Sequence, residues 1–415
     1  MATIVVRPPR PRNAGERVSS TALTHQRVVM LLMLFVAMTM LVGGKLVWMG
    51  IESRLNHGGG TNSGLVSARA DIVDRNGVPL ARTMNAYSVA VRPSKLINDP
   101  SELSRKLAEI FPDESATSFY RKLTGKGWAY LRRRALPEEV AKVNALGEIG
   151  IEFPPEKERL YPQRSLAAHV LGFVNTDGKG GMGAEMAFND RLTDAKLLNE
   201  PLVLSIDSRV QGALESELYG QMIAQQAKGA AGIVLNANTG EVVAMASLPV
   251  FDPNKLGRDD SARRDDVVQS RYELGSTFKP LSIARAMDVG VVTSMSKRYD
   301  ATAPIHVGGV KIKDDHPLRR WLNVPETLVH SSNIVTARIA DEMGEKPLAD
   351  LFRSLHFDDR PAIELHEATR GIWPSSWGRV TTMTVAYGHG IAVTPLHLAS
   401  AYASLVNGDI GRARV

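Results

Sequence analysis

"YELGSTFKPLSIARAMDVG", Tyr272 to Gly290, places Ser276 and Lys279 three residues apart, after a glycine and before a proline. The spacing alone is weak, because "SMSK" repeats it at Ser294 and Lys297. Context separates the two copies. Pro280 lacks a backbone N–H and belongs near the first turn of a helix, where donors have no partners anyway. Gly275 permits a sharp turn into that helix. Ser276 is therefore expected at a helix N-terminus, with Lys279 one turn on along the same face. The positive end of the helix dipole stabilises negative charge developing on the serine oxygen and disfavours the ammonium form of the lysine. If the lysine is also desolvated, its pKa falls and it can take the serine proton. The second copy stands in "TSMSKRYD", with no apolar helix face, so Lys297 is expected to be solvated.

A serine and lysine need further groups to hold a substrate and pass protons to a leaving group. "VHSSNIVTARIADEMG", Val329 to Gly344, offers Ser331 and Asn333, one residue apart, directly before an amphipathic helix. Alone, the pair reads as a helix cap, for which Ser and Asn are among the best residues. Following Ser276 and Lys279 in this order, it reads as the second part of a site.

The chain's 415 residues, 44% hydrophobic and 23% charged, suit more than one globular domain. Its net charge of +6 fits a protein near anionic lipid or polymer. No basic cluster or nucleic-acid-binding signature accompanies it, so no nucleic acid partner is expected. The absence of cysteine excludes disulfides, a cysteine nucleophile and thiolate metal sites. The ten histidines form no His-Glu-x-x-His pattern, and neither a metal nor another cofactor is expected.

Residues 1–27 carry five arginines and one glutamate and read as a flexible basic tail. "VVMLLMLFVAMTMLVGG", Val28 to Gly44, holds no charge and only Thr39 as a polar side chain. With Lys45 able to snorkel and Trp48 suited to an interface, residues 28–50 are long enough for a retained membrane span. The arginines place the tail in the cytoplasm and the bulk of the chain outside. A Gly/Asn/Ser-rich linker follows at 51–66. "ADIVDRNGVPLART" reads as two short strands around the Asn76-Gly77 turn. Residues 100–147 turn helical, and 159–192 read as loops with short helices. From residue 201 come a short strand, an Asp-capped helix, and a hairpin, "GAAGIVLNANTGEVVAMASLP", buried enough for a sheet centre. Helices are expected at 280–289, 324–330, 334–343 and 396–405. Strands followed by helices imply an α+β fold, with helices packed on an antiparallel sheet.

Ser-x-x-Lys followed by Ser-x-Asn marks the penicillin-recognising serine enzymes, whose third element is Lys-Thr/Ser-Gly. "YELGSTFKP" and "HSSN" resemble the first two elements of a class B penicillin-binding protein. So do "ADIVDRNGVPLA", "RLYPQ…HVLGF", "GAEMAFNDRL", "LSIDSRVQ", "NTGEVVAMASLPVFDPN" and "AYGHGIAVTPLHLASAYASLVNG". The resemblance covers about residues 65–410, and the tail and single span are most similar to the division-specific (septal) peptidoglycan D,D-transpeptidase.

That resemblance implies an extended pedestal (dimerisation) domain at 67–200 and a transpeptidase domain at 201–415. It implies that Ser276 attacks the D-Ala–D-Ala carbonyl of a peptidoglycan stem peptide, with Lys279 as general base. Ser331 would relay a proton to the leaving amine, and Asn333 would help hold the substrate amide and Lys279. The implied partners are peptidoglycan stem peptides and their lipid-linked precursor polymer, β-lactams, a membrane glycosyltransferase and other division proteins. The implied location is the inner membrane, with the bulk of the chain in the periplasm. No Lys-Thr-Gly or Lys-Ser-Gly follows Asn333, so a C-terminally truncated domain with a damaged cleft and an unpaired sheet edge is expected. An elongation-specific transpeptidase, a non-catalytic division scaffold, and a β-lactam sensor or β-lactamase are the competing expectations.

Overall fold

A computed structural model of the chain describes residues 27–45, 68–175, 177–257, 260–408 and 413–415. The chain divides into two units, residues 1–63 and 64–415. In the first, helix α1 (Arg27–Lys45) has a mean hydropathy of 2.2 and is the one described helix long and apolar enough to cross a membrane. Thr39 donates its hydroxyl to the Phe35 carbonyl at 2.8 Å, so the run's one polar side chain is satisfied within the helix. The expected basic tail up to residue 26, the end of the span at 46–50 with Trp48, and the linker at 51–66 lie outside the described residues.

The second unit begins with β1 (Ile72–Val73) and β2 (Pro79–Val91) around the anticipated turn. Gly77 takes φ +82°, and Asp74 Oδ1 accepts from the Asn76 and Val78 amides, each at 2.8 Å. β2 is far longer than the short strand expected. Its thirteen residues pair antiparallel with β1, β3 (Ala129–Ala135), β4 (Ile151–Glu152) and β5 (Pro155–Leu160). β1 pairs in parallel with β6 (Leu202–Val203), completing a six-stranded sheet. Helices α2 (Pro100–Ile110), α3 (Ala116–Leu123) and α4 (Pro137–Asn144) occupy the stretch read as helical, with β3 set between α3 and α4. Asp99 and Ser115 cap α2 and α3 by accepting from the amides of Glu102 and Ser118.

Two cores share β2. Val89 and Val91 join Leu103, Leu107, Phe111, Phe119 and Leu131 in one. Leu80 and Ala81 join Tyr161, Leu171, Val242, Met245, Val267, Leu365 and Leu396 in the other. The short helices α5 (Ala168–Leu171), α6 (Gly183–Ala187) and α7 (Asn189–Thr193) lie in the segment read as loops with short helices.

Asp207 caps α8 (Ser208–Ala224), accepting from the Arg209 amide at 3.0 Å. β7 (Ala230–Leu235) and β8 (Val242–Leu248) then form the expected antiparallel hairpin. Burial as a sheet centre holds for β8 alone: β7 is only partly covered, with Val234 38% exposed. Among the described residues β7 pairs only with β8, which leaves its other side without a strand neighbour.

The remainder is mostly helical: α9 (Lys279–Asp288), α10 (Val324–Val329), α11 (Asn333–Met343), α12 (Glu345–Ser354), α13 (Arg379–Val385) and α14 (Pro395–Asn407). Two small strand pairs intervene, β9 (Arg298–Asp300) with β12 (Trp321–Asn323), and β10 (Ile305–Val307) with β11 (Val310–Ile312). The anticipated α+β class holds, while α12 and α13 were not anticipated. A third core forms around Phe278, whose ring lies 5.4 Å from those of both Phe352 and Phe357.

Candidate active site

Residues 275–278 form a 3-10 turn that passes into α9 at Lys279, with Pro280 in the first helical turn. In a 3-10 turn residues three apart eclipse one another, which lines up Ser276 and Lys279 more directly than the expected α-turn would. Gly275 enters at φ +57°. Gly388 closes the turn from outside: a Cβ there would stand 2.2 Å from the Gly275 carbonyl oxygen. Below, the buried Phe278 ring anchors the turn in the core, and Ser282 donates to the Ala386 carbonyl at 2.8 Å. Tyr402 donates to the Thr277 carbonyl, also at 2.8 Å.

This frame buries Lys279 to 1% exposure while Ser276 and Ser331 stay exposed. The amine stands 3.0 Å from Ser276 Oγ, 2.9 Å from Ser331 Oγ and 2.6 Å from the Ser331 carbonyl oxygen. The two hydroxyls are 2.9 Å apart, closing a triangle. A neutral lysine has two N–H donors and one lone pair. The carbonyl can only accept, so it takes an N–H, and the lone pair is left to accept from one of the hydroxyls. Burial pushes the Lys279 pKa down to about 8, against the opposing pull of Asp314 and Asp315. The arrangement can therefore move a proton from Ser276 to the amine and on to Ser331.

Ser331 itself adopts φ +53°, a left-handed backbone rare for serine, which turns its carbonyl and its hydroxyl toward the same amine. The capping role weighed for Ser331 and Asn333 falls to Ser332, whose Oγ accepts from the Val335 amide at 3.1 Å. Asn333 begins α11 and sends its amide to the Lys313 carbonyl at 3.1 Å, rather than to Lys279. Two residues escaped the sequence reading. Ser332 could have been found, because a serine just before a helix is a strong cap signal. Asp314 carried no signal: it approaches this loop only in the folded chain, accepting from Ser332 Oγ and the Ile334 amide, each at 2.9 Å.

The second Ser-x-x-Lys differs throughout. Lys297 donates to Glu342 at 2.6 Å and to the Val291 carbonyl at 2.7 Å, and lies over the Tyr299 ring. It is ion-paired, not freely solvated as expected, because Glu342 of α11 folds back beside it. The bond to Glu342 raises its pKa. Ser294 shares a hydrogen bond with Ser296 instead.

Far from Lys279 in sequence, a buried ionic cluster ties the segment before β1 and strand β5 to α6. Glu185 receives Arg69 Nε at 2.9 Å and Arg159 Nε at 2.6 Å, all three side chains being almost wholly buried. Arg69 also bonds the Glu185 carbonyl and Asn189 Oδ1. Every arginine here is matched to a carboxylate or carbonyl, so the cluster offers structure and no free base. Among the described residues no group of His, Asp and Glu is arranged to hold a metal.

Residues 65–192 match the family described as the penicillin-binding protein dimerisation domain, and 230–412 the penicillin-binding protein transpeptidase domain. The chain is 38% identical to the probable peptidoglycan D,D-transpeptidase FtsI of Caulobacter vibrioides, over 87% of this chain and 61% of that protein. It is 30% identical to the probable peptidoglycan D,D-transpeptidase PenA of Neisseria meningitidis, over 83% of this chain and 64% of that protein. The peptidoglycan D,D-transpeptidase FtsI of Escherichia coli is 28% identical, over 82% of this chain and 62% of that protein. The chain thus spans about three fifths of the length of these relatives. The chain carries the dimerisation and transpeptidase domains in this order, the arrangement of the class B penicillin-binding proteins it resembles.

Proposed function

We propose that the protein is a peptidoglycan D,D-transpeptidase of the septal type, anchored in the inner membrane by α1, with residues 67–200 as pedestal and 201–415 as catalytic domain. The observation that carries this reading is the buried Lys279 amine in contact with two exposed hydroxyls. Ser276 Oγ attacks the carbonyl carbon of a D-Ala–D-Ala bond as Lys279 takes its proton. The C–N bond then breaks, and the proton reaches the departing D-Ala amine through Ser331, leaving an ester on Ser276. An amine of a neighbouring stem peptide attacks that ester, forming the cross-link and returning the proton to Ser276. Asn333, two residues after Ser331, orients the substrate amide. β-Lactams acylate the same serine.

The names of the relatives support the substrate class, and the FtsI designation of two of them supports the septal over the elongation role. On this reading the tail is cytoplasmic and the bulk periplasmic, where a membrane glycosyltransferase and division proteins are the partners. The test is labelling by a fluorescent penicillin, with the protein in detergent-solubilised membranes of cells expressing its gene. Wild type is labelled and Ser276→Ala is not; a labelled Ser276→Ala would overturn the assignment of the nucleophile.

A further inference from the structure

Ser331 makes its contacts with Lys279 only because its backbone is held in the left-handed region, and a non-glycine residue stays there when its surroundings leave it no alternative. From one side the end of α10 holds the turn, through the Ser331 amide on the Leu328 carbonyl at 3.2 Å and the Ser332 amide on the Thr327 carbonyl at 3.0 Å. From the other side the grip comes from a single short segment, the tail of β11. Asp314, 7% exposed, accepts from Ser332 Oγ with one oxygen and from the Ile334 amide with the other. Its neighbour Lys313 accepts from Asn333 Nδ2. Three consecutive residues after Ser331 are thus fastened to two residues that lie some twenty positions earlier. Bonds to an ionised carboxylate are the stronger kind, and Asp314 makes two of the three.

Resting on the acyl-transfer reading above, we propose that Asp314 is a positioning residue, fixing the Ser331 turn against Lys279 while supplying negative charge beside the amine. The charged and titratable groups on the surrounding segments are Lys313, Asp314 and Asp315 after β11, His330 beside Ser331, and the Glu273–His389 pair flanking Gly275. Of these, Asp314 and Asp315 pull the Lys279 pKa upward, and Asp314 is the buried one. Asp314 therefore acts twice, through geometry on Ser331 and through charge on Lys279. A merely structural aspartate would act only through the first.

The two actions separate in the pH profile of acylation. Lys279 serves as a base when neutral, so acylation rises with pH as the amine loses its proton. The measurement is the second-order rate of fluorescent-penicillin acylation between pH 6 and pH 10, on solubilised protein whose melting temperature is recorded. Asp314→Asn keeps the shape but loses the charge and one acceptor. Its plateau rate should fall roughly ten- to hundredfold, the scale of a misplaced catalytic group, and its rising limb should move to lower pH. Ser332→Ala removes the bond to Asp314 and the cap on the Val335 amide but no charge, so its plateau falls with the limb unmoved. Asp314→Glu keeps the charge with the carboxylate displaced, giving a lowered plateau and a limb near that of wild type; it also decides the matter if Asp314→Asn does not fold. An Asp314→Asn or Asp314→Glu protein with the plateau of wild type refutes the geometric role. A folded Asp314→Asn with an unmoved limb, or an Asp314→Glu limb displaced as far as loss of the charge would carry it, refutes the electrostatic one. A wild type that is not acylated at all refutes the acyl-transfer reading itself and takes this inference with it.

Discussion

Lys279 and Lys297 follow a serine at the same spacing, yet one is buried with a lowered pKa and the other ion-paired with a raised one. Lys279 has two serine hydroxyls and a carbonyl for company, and no carboxylate within bonding distance. Lys297 has Glu342. Burial without a counter-ion makes a base, whereas pairing makes a surface strut. The buried Arg69–Glu185–Arg159 cluster shows the third outcome, charge buried against opposite charge, with Glu185 shared between two arginines.

The contrast can be broken most directly at Lys279. Lys279→Met should lower the penicillin acylation rate by about 10²- to 10⁴-fold, the usual contribution of a general base. The same variant should melt no lower than wild type at pH 7. The folded Lys279 pKa of about 8 lies below its ordinary 10.5, so the unfolded chain binds more protons between those values. The group thus costs about 3 kcal/mol at neutral pH, a penalty that shrinks as pH rises from about 8 to 10.5. A large fall in melting temperature would show that the lysine is structural.

Next in size is the frame. Gly388→Ala should destabilise the protein by roughly 2–4 kcal/mol, combining a left-handed backbone with a collision against Gly275. Gly275→Ala, which meets no neighbouring atom, should cost only the backbone strain, about 1–2 kcal/mol. Chemical denaturation of the two variants side by side checks the order, and equal losses would mean that Gly388 does not brace the turn. In wild type, acylation should be half-maximal near pH 8, rising toward alkali. The smallest effect belongs to Lys297→Ala: less than about 1 kcal/mol of stability, and an unchanged pH midpoint.

The sequence made the difference between the two lysines readable through Gly275 and Pro280, which mark one serine as the mouth of a helix. It showed helices near α9, α10, α11 and α14 for the same reason, since caps and periodicity are local. What it hid was long-range. Asp314 and Ser332 are eighteen positions apart, and Arg69 and Glu185 are separated by 116, so no window of sequence contains either interaction. The length of β2 was hidden too, because partly exposed Met84, Asn85 and Tyr87 interrupt the pattern of burial along a strand whose pairing comes from distant β5. β7 is less buried than its apolar composition predicts, because composition does not reveal how many strands flank it.

Strand β2 has a consequence for how the second unit comes apart. Its first residues belong to a core that also contains Val242, Val267, Leu365 and Leu396, and its last residues to the core of α2 and α3. The two matched families meet inside the first of these cores. Melting either region strips apolar cover from the other, so the portions matching the dimerisation and transpeptidase families should lose amide protection together in hydrogen exchange instead of behaving as separable foldons. A strain applied at α2 and α3 thus has a continuous hydrogen-bonded strand along which to reach the core shared with Val242 and Leu396.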